Sequence, residues 1–187
     1  MKHSQHTELI NNHMAIPWHH LCKAENPSIT EATLPEKASI IGRTGLMLLS
    51  CGTGAWRVRS SMNTLARTMG ITCTADVGLV SIEYTCIDKT ETFSQSLCLT
   101  TTGVNTAKLS ELENFVLDFP AKHASKTSKH LHKFLDHIEQ RPGHYTPPAL
   151  GLASAVACCA FTFLLGGGPL EMLCAFFGAG IGNWLRA

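Results

Sequence analysis

The apolar positions of this chain change their spacing as the sequence advances, and the changes divide it into segments. Residues 1 to about 34 hold no sustained period and contain Pro17 and Pro27, with Pro35 just beyond, so they read as a flexible N-terminal tail. From Glu36 onward, KASIIGRTGLMLLSC predicts a helix that Gly52 interrupts. Ala55, Val58, Met62, Leu65, Ala66 and Met69 then recur at helical steps and form the apolar stripe of an amphipathic helix. Thr53 suits its N-cap and Gly70 its C-terminal stop. Arg59, Asn63 and Arg67 line one polar flank.

The period then shortens. ITCTADVGLVSIEYTCID is rich in Ile, Val, Thr and Tyr and is punctuated by Asp76 and Gly78, which predicts two short strands; ETFSQSLCLT alternates enough for a third. No helix fits between these strands, so the sheet is expected to be antiparallel. Leu109, Leu112, Phe115 and Val116 give the next helix its apolar face, and Pro120 ends it. Leu131, Phe134, Leu135 and Ile138 mark another, whose opposite side carries Lys126, Lys129, Lys133 and several histidines. Residues 35–143 therefore predict an α+β domain of helices packed on a small sheet.

Beyond residue 143 the polar positions nearly vanish. Residues 149–165 and 172–185 are apolar runs, separated by Gly166, Gly167, Gly168 and Pro169, and Asn183 interrupts the second. A spanning helix needs about 20 apolar residues, with about 17 as the lower end. The first run meets that at the limit, and the second needs most of 169–184. A buried hairpin of a soluble protein would show the same runs. Three details favour a bilayer. No charge breaks the first run; Tyr145 and Trp184 lie at the ends, where interfacial aromatics belong; Gly178 and Gly182 form a G-x-x-x-G that lets helices approach closely in lipid. The expected architecture is a cytoplasmic α+β domain followed by a transmembrane helical hairpin at 144–187, with helices at about 147–165 and 169–185. Lys129, Lys133 and Arg141 precede the hairpin, Arg186 ends it, and the glycine turn has no positive charge. The positive-inside rule then puts both ends and the α+β body in the cytoplasm.

Composition sharpens this picture. Charged residues are 16% of the chain, against roughly 25% in a typical soluble domain, and none falls between residues 142 and 170. A net charge of +1 gives no general attraction to nucleic acid. The N-terminus lacks the apolar core of a secretory signal. None of the eight cysteines forms a C-x-x-C pair, and reduced thiols fit a cytosolic body.

Candidate chemistry is sparse. Gly52-Thr53-Gly54 opens a helix, and Asp76 follows a strand-like stretch downstream, which is part of a dinucleotide fingerprint. Arg57 occupies the third glycine position, however, and the body does not alternate strands and helices. The loop therefore reads as an elbow between helices, and no Walker loop is present. His130 and His137 share a helix face that His132 does not, and no acidic residue completes a metal-ligand pair, so the histidines read as solvated and no metal is expected. No nucleophile motif occurs. Neither an enzyme nor a cofactor is expected.

Taken in order, GLMLLSCGTGAWRVRSSMNTLARTMGI, the short strands, Asn105 with Leu109, and YTPPALGLASAVACCAFTFLLGGGPLEMLCAFFGAGIG resemble the N-terminal part of the threonine/serine exporter family of bacterial membrane proteins, over about residues 38–187. That family's helix carries Leu-Leu, a glycine, Arg-Val-acid, a Met and a Gly; here Leu48, Leu49, Gly52, Arg57, Val58, Met62 and Gly70 fill those places, and Arg59 stands where the acid is usual. Its first hairpin turns on a glycine pair with an acid soon after, matched by Gly167, Gly168 and Glu171. Family members continue through about five membrane helices, so a chain of two is expected to be a truncated form, a fragment or one piece of a split transporter.

The resemblance implies a part of a secondary exporter of small polar metabolites: threonine- or serine-type amino acids, or small dicarboxylates. It implies a companion membrane subunit or remaining transporter half beside the lipid bilayer. Arg57, Glu171 and Asn105 are the substrate or gating candidates, with Gly52, Gly54, Gly70, Gly167, Gly168, Gly178 and Gly182 as structural motif positions. For Arg57 a structural ion pair, and for Glu171 a helix cap, are the competing readings. A membrane-anchored interaction module without transport of its own is the rival from another class.

Overall fold

The computed structural model describes residues 16–22, 28–99, 102–141 and 145–186. They fall into two compact units, Met1–Arg141 and Pro142–Ala187.

The first unit is organised around helix α1 (Leu34–Ser50). The Glu36 carboxylate turns back to accept from the Thr33 backbone N–H at 3.2 Å and from its hydroxyl at 2.8 Å, which fixes the helix start. Ala38, Ile40, Ile41 and Leu48 are fully buried, as are Glu36, Ser39 and Thr44, and Lys37 and Arg43 are nearly so. A helix buried all round must have neighbours on every side, and α1 packs against every other helix and two strands of this unit.

The chain leaves α1 through an elbow at residues 51–54, where Gly52 adopts φ +81, the left-handed region that suits glycine. Gly103 N–H donates to the Ser50 carbonyl at 3.1 Å, and Asn105 N–H to that of Cys51 at 3.4 Å, so a distant loop satisfies carbonyls that end the helix. Helix α2 (Ala55–Thr68) follows, burying Val58, Met62, Leu65 and Ala66. Its N-cap is Gly54, not the Thr53 expected from sequence, and no side chain caps it.

Strands β1 (Thr72–Val77), β2 (Ser81–Asp88) and β3 (Glu91–Cys98) form an antiparallel meander in the order β1-β2-β3. Cys73, Cys86, Ile82, Tyr84 and Leu97 point into the core, while Thr74, Asp76, Glu83, Ser94 and Ser96 face out. Tyr84 crosses from β2 to α1, its Oη 3.0 Å from the Ala38 carbonyl. Gly42 makes room for it: a Cβ there would stand 2.4 Å from that oxygen.

Helix α3 (Thr106–Asp118) does not simply stop at Pro120. A π-helical turn, Phe119–His123, carries the chain on, with Ala124 N–H donating to the Phe119 carbonyl at 2.9 Å. Pro120 lacks an N–H, so the wider turn accommodates it. Helix α4 (Ser128–Glu139) then buries Leu131, His132, Leu135 and Ile138. Part of the segment expected as a loose tail is packed. Ile29 is fully buried, its N–H donates to the Lys126 carbonyl at 2.8 Å, and the Trp18 ring stacks on His132. Residues 1–15 and 23–27 of that segment lie outside the described residues.

The second unit holds helices α5 (Pro147–Leu164) and α6 (Pro169–Arg186), joined by a turn in which Gly166 has φ +84. Helix α5 is long and apolar enough to cross a membrane and is barely buried; α6 matches it in length but carries Glu171, Asn183 and Arg186. The two helices meet at Gly151 and Gly180. A Cβ on Gly151 would lie 2.9 Å from the Gly180 carbonyl oxygen, and one on Gly180 3.0 Å from Ala155 Cβ. Asn183 Nδ2 donates to the Leu150 carbonyl at 3.1 Å and to Ser154 Oγ at 2.8 Å. Gly178 and Gly182 take no part in this contact: a Cβ on either would meet nothing within 4 Å.

Candidate functional site

The densest polar constellation of the first unit lies between α1 and α4. Glu36, Ser39 and Arg43 fall on one face of α1 by their helical spacing, and Ser128, His132, Asp136 and Glu139 do so on α4. Arg43, 3% exposed, spans the seam. Its Nη1 donates to the His132 carbonyl at 3.1 Å; its Nη2 donates to Asp136 Oδ1 at 2.6 Å and to Glu139 Oε2 at 2.7 Å. Ser128 Oγ donates to Glu36 Oε1 at 2.8 Å. His19 Nε2 approaches the other Asp136 oxygen at 2.9 Å.

The hydrogen bonds fix the state of His132. Ser39 gives its hydroxyl hydrogen to the Glu36 carbonyl at 2.7 Å, so its oxygen is left to accept from His132 Nε2–H at 2.9 Å. Nδ1 then carries a lone pair toward Arg43 Nη1 at 3.3 Å. Burial first, and the Arg43 charge second, push the imidazole down to about 3. The expectation of solvated histidines is thus corrected for His132, which is fully buried. His123, wedged against Phe115, Phe119 and Phe134, is pushed down by desolvation as well. The seam fastens α4 to α1 and holds its histidine neutral.

The residues singled out from sequence lie elsewhere. Arg57 stands in the first turn of α2, 44% exposed, with Nη1 3.0 Å from Glu113 Oε1 on α3 and its guanidinium over Trp56. It therefore makes an interhelical ion pair at the surface. Asn105 is the N-cap of α3, its Oδ1 accepting from Lys108 N–H at 3.0 Å, and its backbone joins the Gly52 elbow. Gly70 ends α2 with φ +73. Glu171 lies exposed in the first turn of α6 and folds back toward Gly168: a Cβ on that glycine would stand 2.7 Å from Glu171 Oε2. A Cβ on Gly167 would meet Thr162, whose carbonyl accepts from Gly167 N–H at 2.9 Å. The structure thus brings Asn105 to the elbow and ties Arg57 to α3. Among the described residues no three His, Cys, Asp or Glu side chains gather as a metal site.

Sequence reasoning missed Arg43 and His132. The signal was the helical spacing of Glu36, Ser39 and Arg43 around the apolar Ala38, Ile40 and Ile41, repeated by Ser128, His132, Asp136 and Glu139.

The fold defines an α+β unit followed by a pair of apolar helices. Residues 39–187 match the model of the ThrE family, described as "Putative threonine/serine exporter". The match covers most of the chain, and the chain belongs to this family. An exporter family implies a membrane protein engaged in transport. No curated protein and no solved structure matches the chain.

Two outcomes follow from the seam. Arg43→Ala empties a buried position and takes away the donor to the His132 carbonyl and imidazole, and is expected to cost about 2–4 kcal/mol in urea unfolding, whereas Arg57→Ala, at an exposed pair, costs under about 1 kcal/mol. The second concerns pH. Because His132 titrates lower in the folded than in the unfolded chain, the unfolded state binds the extra proton as pH falls below its ordinary value of 6.5. Stability is therefore complete above that value and declines toward acid by up to about 1.4 kcal/mol per pH unit. Urea unfolding between neutral pH and pH ~4.5 measures this slope, and His132→Gln removes most of it, leaving the smaller His123 contribution of the same sign.

Proposed function

We propose that this chain forms part of a secondary exporter that moves small polar metabolites, of the threonine and serine type or small dicarboxylates, across the bacterial cytoplasmic membrane. Family membership over residues 39–187 is the observation that carries this reading. The apolar outer surface of the second unit supports it. Leu152, Val156, Phe161, Phe163, Leu173 and Phe177 are all more than half exposed, a surface suited to lipid. In this reading α5 and α6 insert together as a hairpin, and the α+β unit stands on the cytoplasmic side.

Two helices cannot enclose an alternating-access pathway, so a companion subunit or further transporter helices complete the route. Arg57 and Asn105, close to the α1–α2 elbow and the start of α3, are the gating candidates of the soluble unit. Glu171, a carboxylate at the end of an apolar helix, is the candidate for coupling to protons.

The test uses inverted membrane vesicles from cells carrying the chain and from the same cells with it deleted. Under a proton gradient, the first are expected to accumulate labelled threonine, serine or succinate several-fold above the second, and Arg57→Ala to reduce the difference. Equal accumulation of all three compounds in both preparations would favour the membrane-anchored module.

A further inference from the structure

The two sides of α4 differ in charge for a structural reason. Its carboxylates, Asp136 and Glu139, both bind Arg43. That leaves Lys129, His130, Lys133 and His137 exposed along the outer side, with Lys126 just before the helix and Arg141 just after. Lys126, Lys129 and Lys133 have no carboxylate within 4 Å among the described residues, while Arg141 pairs with Glu111. The outer side of α4 is therefore basic without internal compensation.

We propose that this face docks on the anionic phospholipid surface of the membrane in which α5 is inserted. The inference rests on the membrane reading above and adds its own constraint. Only residues 140–146 separate Glu139 from Pro147. Glu139 and Pro147 are eight residue steps apart, which span at most about 29 Å when fully extended, so the end of α4 is tethered within that distance of the start of α5. A lysine brought to an anionic surface strengthens association about fivefold, and three act on one face. The exposed Arg59 and Arg67 make α2 basic as well, but no comparably short tether joins α2 to the apolar helices.

The whole chain is reconstituted in vesicles of phosphatidylcholine, with or without phosphatidylglycerol, and treated with a membrane-impermeant amine-acylating reagent. Mass spectrometry reads each lysine against exposed Lys89 of the β2–β3 turn, which corrects for chain orientation. Acylation of Lys126, Lys129 and Lys133 is expected to fall several-fold in the anionic vesicles and to recover in high salt. In the Lys129→Gln/Lys133→Gln variant, whose changes are both exposed, the lipid-dependent protection of Lys126 is expected to disappear. Equal acylation in both lipids overturns the proposal. So does protection in neutral lipid that grows with protein density, which would assign the face to a second copy of the chain. Alkaline extraction before labelling separates the two readings. A chain that leaves the vesicles defeats the membrane reading and this proposal together; a chain that stays but shows no lipid dependence defeats only the docking.

Discussion

The arrangement of the first unit depends on one buried guanidinium. Arg43 sits in the middle of a helix that is buried on all sides, and its fork closes on two carboxylates and a backbone carbonyl of α4. A buried cation of this kind is tolerable only when its hydrogen-bonding partners are in place, so α4 has one register against α1. Several features follow from that register. His132 is placed between Ser39 and Arg43 and stays neutral, Ser128 reaches Glu36, and Trp18 covers the imidazole. With both of its acids engaged on Arg43, α4 presents its lysines outward without a carboxylate of its own to pair them.

Much of the fold was legible in the sequence because its elements obey simple periods. The stripe from Val58 to Ala66 is the buried face of α2, and alternation in 72–98 gives a three-stranded antiparallel sheet. Gly52 marks the elbow because its backbone is left-handed there. The seam was hidden for a physical reason. Apolar periodicity treats Arg43 and His132 as surface positions, and only knowledge of the facing helix shows that each meets a partner. Ile29 and Trp18 were hidden likewise, since isolated apolar residues among polar ones carry no period. Pro120 promised a helix end, and a π turn absorbed it instead.

The second unit follows a different logic. Its helices touch through Gly151, Gly180 and Ala155, small residues that let backbones come close, and Asn183 finds two partners on α5. Such contacts retain their value where surrounding hydrocarbon offers no hydrophobic drive for association. The G-x-x-x-G of Gly178 and Gly182, expected from sequence to let helices approach closely, makes no contact within this hairpin; α5 approaches α6 along another line, through Gly180. Family membership and the exposed apolar surface thus converge on a membrane setting, while the polar body is held together by its own buried seam.

The central claim is that the hairpin lies within the bilayer and the α+β unit faces the cytoplasm. Native cysteines test it directly, because Cys98 is exposed on β3 and Cys158 and Cys174 are exposed on α5 and α6. A membrane-impermeant maleimide, applied to intact cells and to inverted vesicles, reports the side and the solvent access of each. The account predicts that Cys98 reacts in inverted vesicles and not in intact cells, while Cys158 and Cys174 react in neither until detergent is added. Reaction of Cys98 in intact cells, or of Cys158 and Cys174 in inverted vesicles without detergent, would contradict it.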